Sequence, residues 1–247
     1  MIELVPWALG AYVVATVVTG LALLRIDAPY GRLARPGWGP SIPARWSWMI
    51  MESPAVWAML GTFSWLGPSG RMPWVLLAIW LLHYGQRTFV YPLLVRGRPV
   101  PLTVGALAFG FNVFNGWIQA AWIVGYGAYG PSWWADPRFV VGLAVFLCGF
   151  GINLRSDAIL RGLRRPGDDG YRIPRGFLYR WVSCPNYLGE ILEWCGWALL
   201  TWSPAGLVFA LYTMANLAPR ALASHRWYRE TFADYPPERR ALVPFLL

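Results

Sequence analysis

The sequence predicts an all-α membrane protein, a bundle of seven transmembrane helices, and three observations support this. The chain of 247 residues is 57% hydrophobic and 13% charged, so a single water-soluble core cannot hold its apolar side chains. Apolar runs long enough to cross about 30 Å of hydrocarbon recur along the chain. The arginines lie mostly between those runs and on one side of the membrane they imply.

The apolar runs are about 20 residues each and lie near 2–24, 46–66, 73–95, 102–126, 138–155, 187–203 and 204–222. The first run has no basic cluster before it and no clear cleavage site, so we interpret it as a retained helix. Without repeats or a change of composition, residues 1–247 are expected to form a single membrane domain. A cytoplasmic loop at about 156–186 and a tail at about 221–247 complete it.

The basic residues number 21, and all of them are arginine. Only Arg71 and Arg138 fall on one side of the predicted membrane, which by the positive-inside rule places the N-terminus outside and the C-terminus in the cytoplasm. The net charge of +9 is explained in this way and needs no nucleic-acid partner. Arginine used without lysine, in a chain rich in Trp, Ala and Gly, suggests a GC-rich bacterial genome and a multi-pass protein of the inner membrane.

Several familiar motifs are excluded. The cysteines form no CxxC pair and are interpreted as structural thiols: Cys148, Cys184 and Cys195. His83 and His225 are too few for a zinc or di-iron ligand set, so no metal is expected. The GxGxxG string at 125–130 follows an apolar run instead of a strand and is rejected as a dinucleotide fingerprint. Gly149 and Gly151 instead predict close helix packing.

A polar stripe is predicted at the cytoplasmic end of the fifth apolar run. Asn153 and Asp157 are four residues apart, and Arg161 and Arg164 continue roughly the same helical face. Ionisable groups near membrane depth are expensive, which makes them candidates for a functional site. A ladder of salt bridges at a helix end is the alternative interpretation.

A second polar stripe opens the sixth run, where Asn186, Glu190, Glu193 and Trp197 repeat at helical spacing. Two carboxylates that face one way inside a bundle repel each other unless cations or hydrogen-bond donors meet them. The candidate counterparts are Arg164, Arg172 and Arg220. Structural ion pairs between helices are the alternative, above all for Glu193, and both interpretations can hold together.

The third run carries four polar side chains at helical spacing, namely His83, Tyr84, Arg87 and Tyr91. Glu52 is the only acid of the second run. If Glu52 and Tyr84 faced one cavity, they could share a hydrogen bond and polarise a carbonyl, as reductions of conjugated ketones require. Trp48 and Trp194 could line that cavity or simply pack in the bundle.

These residues lie in strings that resemble the steroid 5α-reductases. The strings are LHYGQRTFVYPLLVRGRPVP, GFGINLRSDAILRGLRRPGDDGYRIPRG, VSCPNYLGEILEWCGWAL and HRWYRETFADYPPERRALVPF. They follow the family's order from about residue 50 to the C-terminus. The chain departs from the family in its tail, where a run of histidines often stands and only His225 remains after Ser224.

The resemblance implies a seven-helix membrane reductase that transfers a hydride from NADPH to the β-carbon of a Δ4-3-ketosteroid. By matched position, Glu52 and Tyr84 would be the catalytic pair on the 3-keto oxygen, and Trp48 would line the steroid cavity. The loop at 156–186 and the tail would cover the cofactor. Besides a steroid or another lipid enone, only membrane lipid is expected as a partner.

The positions that the resemblance assigns to NADPH are rich in arginine, which suits the three phosphates of this cofactor. They are Arg98, Asn153, Asp157, Arg164, Tyr171, Arg172, Asn186, Glu190, Arg220 and Tyr228, and Arg87 of the third run is added to them.

Three alternatives remain open at this point. A membrane methyltransferase of the isoprenylcysteine or phospholipid type shares part of the segment before Pro185, although Ser183 and Cys184 stand where that family has Arg-His. Reductases of polyprenols or 2-enoyl thioesters would share the cofactor region and differ in the cavity. A transporter would place polar residues along a path through both leaflets.

Overall fold

The computed structural model describes residues 2–164 and 170–247, and the protein is mostly helical. The α-helices of this part are α1 (Val5–Arg25), α2 (Ala44–Leu66), α3 (Met72–Gly85), α4 (Tyr91–Leu94), α5 (Leu102–Gly125), α6 (Pro137–Gly162), α7 (Pro185–Thr201) and α8 (Pro204–Thr231). Gln86–Val90 forms a π-helical turn between α3 and α4. Short 3₁₀ turns lie at Ile2–Leu4, Gly31–Leu33, Pro131–Ala135 and Phe177–Arg180.

Three helical segments of the described chain are long and apolar enough to cross a membrane, namely Ile2–Arg25, Leu102–Gly125 and Pro137–Gly162. On α1 the apolar side chains mostly face outward: Val14 is 61% exposed and Leu21 is also 61% exposed. Such an apolar surface requires lipid or another apolar partner. The helical, membrane-type architecture is therefore confirmed, whereas the full set of seven spans and their orientation stay predictions.

Each of the seven apolar runs is helical, but one predicted boundary is wrong. The loop expected from residue 156 does not begin there, because α6 continues to Gly162. Ser156 and Asp157 are buried, which gives these polar residues partners inside a helix. The third run is also not one α-helix, since the π turn interrupts it. Residues 165–169 of the predicted loop lie outside the described part.

Helices α6 and α7 approach each other through glycines. A β-carbon added to Gly149 would lie 2.4 Å from the Glu193 backbone nitrogen, and one on Gly196 would lie 2.4 Å from the Phe146 nitrogen. The packing predicted for Gly149 is thus confirmed, while the same prediction for Gly151 is wrong because open space surrounds it. This contact brings the polar stripe of α6 against that of α7.

The C-terminal segment after α8 returns to the start of α7. The Ser183 backbone nitrogen donates to the Arg240 carbonyl at 2.8 Å, and Cys184 donates to Ala241 at 3.1 Å. Between α7 and α8, Ser203 caps α8 by accepting a hydrogen bond from the Gly206 nitrogen at 2.9 Å. Both ends of the α7–α8 pair are therefore fixed.

Two short strands anchor the loop that follows α1. β1 (Ser41–Ile42) pairs antiparallel with β2 (Val100–Pro101), just before α5 begins. The Leu102 nitrogen also donates to the Pro40 carbonyl at 2.8 Å. The loop between α1 and α2, called the first loop below, is thereby held over the same end of the bundle as the start of α5.

Candidate active site

A cavity of about 670 Å³ opens between the first loop and the helices. This volume is within the usual range of small-molecule sites. Among the described residues, its lining includes seven arginines and four carboxylates: Arg32, Arg87, Arg96, Arg98, Arg161, Arg164, Arg220, Asp27, Glu52, Asp157 and Glu190. Apolar residues of α1, α5 and α8 complete the wall. The cavity thus combines a strongly basic lining with an apolar one.

Arg87 lies at the centre of the polar lining. It occupies the π turn, a feature frequently found at functional sites. Its guanidinium donates to Asp157 Oδ2 at 3.0 Å and to Glu190 Oε2 at 3.3 Å. The same group lies 5.0 Å from the Trp48 ring centroid and 4.6 Å from that of Tyr91. One buried cation therefore joins α6, α7 and two aromatic rings.

The two asparagines of the polar stripes orient these carboxylates. Asn186 donates to Asp157 Oδ1 at 3.2 Å. Asn153 donates to the Asn186 carbonyl at 3.0 Å and to Glu190 Oε2 at 3.4 Å. The two stripes predicted separately from the spacing are thus joined by hydrogen bonds between α6 and α7.

The counterparts predicted for the carboxylates of α7 are wrong. None of the three arginines named from the sequence forms an ion pair with them in the described structure; Arg87 pairs with Glu190 and His83 with Glu193. Arg220 instead donates to the Tyr187 hydroxyl at 3.1 Å and to Asn216 at 3.3 Å. The third run supplies the partners instead: His83 of α3 lies 2.7 Å from Glu193, and Arg87 of the π turn lies 3.3 Å from Glu190.

Glu52 and Tyr84 both line the cavity. Asn112 of α5 donates to Glu52 Oε2 at 3.3 Å and to the Met51 carbonyl at 2.7 Å, which fixes the carboxyl. Tyr84 is 4% exposed, with its ring 4.6 Å from that of Trp80. In the described structure no hydrogen bond joins Glu52 to Tyr84, so their joint action on a carbonyl stays a prediction.

The two tryptophans left open by the sequence both line the cavity and also pack within the bundle. Trp48 meets Tyr91 edge to face at 5.2 Å. Trp194 is 1% exposed and lies 4.6 Å from the His83 ring and 5.6 Å from the Tyr84 ring. Packing and cavity lining are therefore not alternatives for these residues.

A second group of predicted residues surrounds Tyr171. Arg98 and Arg164 place their guanidinium carbons 5.5 and 5.4 Å from its ring centroid. All three line the cavity, and the buried Tyr171 hydroxyl has no hydrogen-bond partner in the described structure. Two guanidinium groups and one hydroxyl donor therefore face the cavity here, and no carboxylate is among the described contacts of the Tyr171 ring.

Three predicted cofactor residues, Asn153, Arg172 and Tyr228, are not part of the cavity lining. Asn153 acts through Asn186 and Glu190, as described above. Arg172 donates to the Leu163 carbonyl at 3.3 Å. Tyr228 is buried under the Arg32 guanidinium at 4.4 Å and stacks on Tyr235. Asn153 and Tyr228 therefore support residues of the lining, whereas Arg172 is exposed.

Two further residues of the lining, Tyr30 and Arg32, were not predicted from the sequence, whereas Arg161 belongs to the polar stripe predicted for the fifth run. Burial raises the pKa of the Tyr30 phenol to about 12, and the Arg220 guanidinium lies 4.5 Å over its ring. Arg32 and Arg161 each have a buried nitrogen without a hydrogen-bond partner in the described part. An arginine near an aromatic residue in a short loop, as in PYGR, was the one available signal.

The described residues contain no cluster of three or more His, Cys, Asp or Glu side chains suited to a metal ion. Ser183 and Cys184 do not line the cavity. Ser183 Oγ lies 2.6 Å from His225 Nδ1 and 2.6 Å from the Tyr235 hydroxyl, in a network at the C-terminal segment.

The protein belongs to the class of helical, membrane-type proteins with a basic cavity for a small molecule. A carboxyl and a phenol, those of Glu52 and Tyr84, are part of the lining. Comparison with known sequences specifies the class: residues 98–247 match the family described as 3-oxo-5-alpha-steroid 4-dehydrogenase. The chain belongs to this family of enzymes.

Curated relatives resemble nearly the whole chain. Steroid 5-alpha-reductase DET2 of Gossypium hirsutum is 46% identical over 96% of this chain and 95% of its own length. The 3-oxo-5-alpha-steroid 4-dehydrogenase 1 of Rattus norvegicus is 45% identical over 93% and 90%, respectively. The 3-oxo-5-alpha-steroid 4-dehydrogenase 2 of the same species is 42% identical over 98% and 97%.

Proposed function

We propose that the protein reduces the Δ4 double bond of 3-oxosteroids to the 5α-dihydro-3-oxosteroid, with NADPH as the reductant. The observation that carries this proposal is the shared cavity, in which Glu52 and Tyr84 line the same space as the arginines. Membership of the 3-oxo-5-alpha-steroid 4-dehydrogenase family supports the reaction class. When bound, NADPH supplies the hydride that adds to C5.

Glu52 and Tyr84 are proposed to bind the 3-keto oxygen and to stabilise the negative charge that develops on it. A hydrogen bond from a phenol or a protonated carboxyl is stronger at a developing enolate than at a neutral ketone, so it lowers the barrier. Asn112 holds Glu52, and Trp80 with Trp194 holds Tyr84, which keeps both groups in place before substrate binds. Trp48 adds apolar surface to the substrate space.

The residues of the lining fit the proposed cofactor. Three phosphates require several cations, and the cavity has buried arginine nitrogens, on Arg32 and Arg161, without an acceptor among the described residues. Arg98, Arg164 and Arg220 lie over aromatic rings that fix their planes. Asp157, Asn186 and Glu190 provide acceptors and donors suited to ribose hydroxyls and a carboxamide. Asn153, Arg172 and Tyr228 are proposed to act by supporting these residues.

The turnover of a defined steroid tests the proposal. The detergent-purified protein is incubated with testosterone or progesterone and NADPH, absorbance at 340 nm is followed, and the product is identified by mass spectrometry against authentic 5α and 5β standards. A 5α-dihydro product is expected. No turnover, although NADPH binds and the protein is folded, would contradict the choice of substrate and favour another lipid enone.

We also propose the seven-span arrangement, with the N-terminus outside and the cavity facing the cytoplasm of a bacterial inner membrane. The one-sided placement of arginine supports it, as do helices at all seven apolar runs. Reporter fusions after residues 70 and 247 test the orientation: an enzyme active only outside should work at the first site, and one active only in the cytoplasm at the second. The reverse pattern would contradict it.

A further inference from the structure

A buried pair of ionisable residues beside the cavity has no part in the function proposed above. His83 Nδ1 lies 2.7 Å from Glu193 Oε1, and the two residues are 3% and 0% exposed. His83 lines the cavity, whereas Glu193 is behind it. The His83 imidazole therefore lies in the cavity wall, and the Glu193 carboxyl contacts it from the side away from the cavity.

The pair is separate from the neighbouring ion pairs. Arg87 directs its guanidinium to Asp157 and Glu190, at 3.0 and 3.3 Å. Glu193 Oε2 is buried and has no hydrogen-bond partner in the described structure. An ionised carboxylate in that position costs several kcal/mol unless a proton or cation compensates it. His83 and Glu193 are thus well suited to hold one proton between them.

The imidazole is also held in a defined orientation. Its ring lies 4.6 Å from Trp194, 4.9 Å from Tyr84 and 6.4 Å from Phe150, each measured between ring centroids. Tyr84 is the next residue in the chain and is the group proposed to bind the 3-keto oxygen. In an enone, the α-carbon C4 is bonded to the carbonyl carbon, so a proton donor for C4 must lie close to the group that holds the oxygen.

We infer that His83 is a catalytic residue that delivers the proton to C4, and that Glu193 is the positioning residue that orients the imidazole and shares one proton with it at Nδ1. This inference rests on the proposed function. Hydride addition at C5 leaves the electron pair of the double bond on the enolate. C4 then forms a bond to the proton on Nε2, the N–H bond breaks, and its electron pair stays on the nitrogen. Solvent returns one proton to the pair, so one NADPH and one proton are consumed per double bond.

The first test compares His83→Gln and Glu193→Gln with the wild type, and His225→Asn serves as the matched control on the other histidine of the chain. General acid catalysis contributes about 10²–10⁴-fold. We expect His83→Gln to lower kcat at least 100-fold, with the dissociation constant of NADPH changed less than threefold. Glu193→Gln should lower kcat by a smaller factor, and His225→Asn should leave it unchanged.

Isotope effects separate proton delivery from a structural role. When protonation of C4 limits the rate of His83→Gln, the solvent deuterium isotope effect on kcat should rise and that of deuterated NADPH should fall. A pair that only holds α3 to α7 would lower the rate without shifting the two effects in opposite directions. The smaller variant His83→Ala should regain activity with added imidazole if its role is chemical.

The pair can also be observed without turnover. Because the chain has two histidines, ¹⁵N-histidine labelling gives two imidazole spin systems, and His225→Asn assigns them. The His83 signals should show a strongly hydrogen-bonded Nδ1 that is lost in Glu193→Gln. A wild type that reduces steroid while His83→Gln keeps kcat within threefold would overturn this inference alone. A folded wild type that binds NADPH but reduces no enone would overturn the proposed function and this inference with it.

Discussion

Gly149 of α6 and Glu193 of α7 are in backbone contact, and a β-carbon on Gly149 would lie 2.4 Å from the Glu193 nitrogen and 2.9 Å from its Cα. Because Glu193 carries the carboxyl that holds His83, this close approach of the two helices also sets the depth of the buried pair. Helix packing and site geometry are therefore linked at this point.

Gly149→Ala should destabilise the protein by about 1–3 kcal/mol, as expected when an atom is forced into a packed contact. Thermal unfolding in detergent measures the change. Gly151→Ala is the matched control, because nothing lies within 4 Å of a β-carbon there; its unfolding temperature should be equal or slightly higher. Equal stability of the two variants would contradict the packing described for α6 and α7.

Arg87→Lys should lower stability by about 2 kcal/mol, because a lysine cannot donate to Asp157 and Glu190 in the same fork geometry and leaves a buried carboxylate poorly compensated. The control is Arg175→Lys, whose partner Asp234 is 3.6 Å away in an exposed pair. Thermal unfolding should show no change for this control. An Arg87→Lys protein as stable as the wild type would show that the two ion pairs contribute little.

Tyr84→Phe and Glu52→Gln should each lower kcat by about 10²–10³-fold, the usual effect of losing one group that stabilises a developing oxyanion. The dissociation constant of NADPH, measured by equilibrium binding, should change little, since neither side chain is assigned to the cofactor. Loss of NADPH affinity in either variant would contradict the assignment of Glu52 and Tyr84 to the 3-keto oxygen.

Arg220→Gln should raise the dissociation constant of NADPH about tenfold or more, since a charge-assisted hydrogen bond contributes about 1.5–3 kcal/mol. Arg226→Gln is the control on the same helix, where the side chain is 63% exposed and 3.6 Å from Asp27. Binding titrations at constant ionic strength measure both. Equal weakening in the two variants would indicate general electrostatic attraction instead of a specific contact.

Ser203→Ala should destabilise the protein by about 1 kcal/mol, because the hydroxyl caps α8 through the Gly206 nitrogen. Thr16→Ala on α1 serves as control, since its hydroxyl only bonds the carbonyl of Tyr12 within the same helix. Unfolding temperatures compared in one detergent decide the matter, and an unchanged Ser203→Ala protein would count against the cap.

The helical class and the two polar stripes could be predicted because both depend on local periodicity. Apolar runs of membrane length imply helices, and residues four apart share a face, which brings Asn153 and Asp157 together on α6 and Asn186 and Glu190 together on α7. The family strings also contain five of the seven arginines named in the lining, namely Arg87, Arg96, Arg98, Arg161 and Arg164. These features need no knowledge of how distant segments meet.

The partners of the carboxylates could not be predicted, because they depend on which helix crosses α7 at each level. Arg87 reaches Glu190 over 103 residues of chain, and His83 reaches Glu193 over 110. The first loop was missed for a similar reason: Tyr30 and Arg32 join the cavity through distant contacts with α8, where Arg220 lies 4.5 Å over the Tyr30 ring and Arg32 lies 4.4 Å over the Tyr228 ring. Spacing within a helix contains no information about such contacts.

The π turn at Gln86–Val90 sets the rotation of α4 relative to α3, and with it the relative directions of the side chains that α3, the turn and α4 contribute to the site. Each residue of an α-helix turns the chain by about 100°, so a change from π to α hydrogen bonding at this turn would rotate the segment from Tyr91 onward against His83 and Tyr84. Arg87 lies inside the turn, and its contacts with α6 and α7 oppose such a rotation. Insertions or deletions of a single residue between positions 85 and 91 should therefore be far less tolerated than in the surrounding helices.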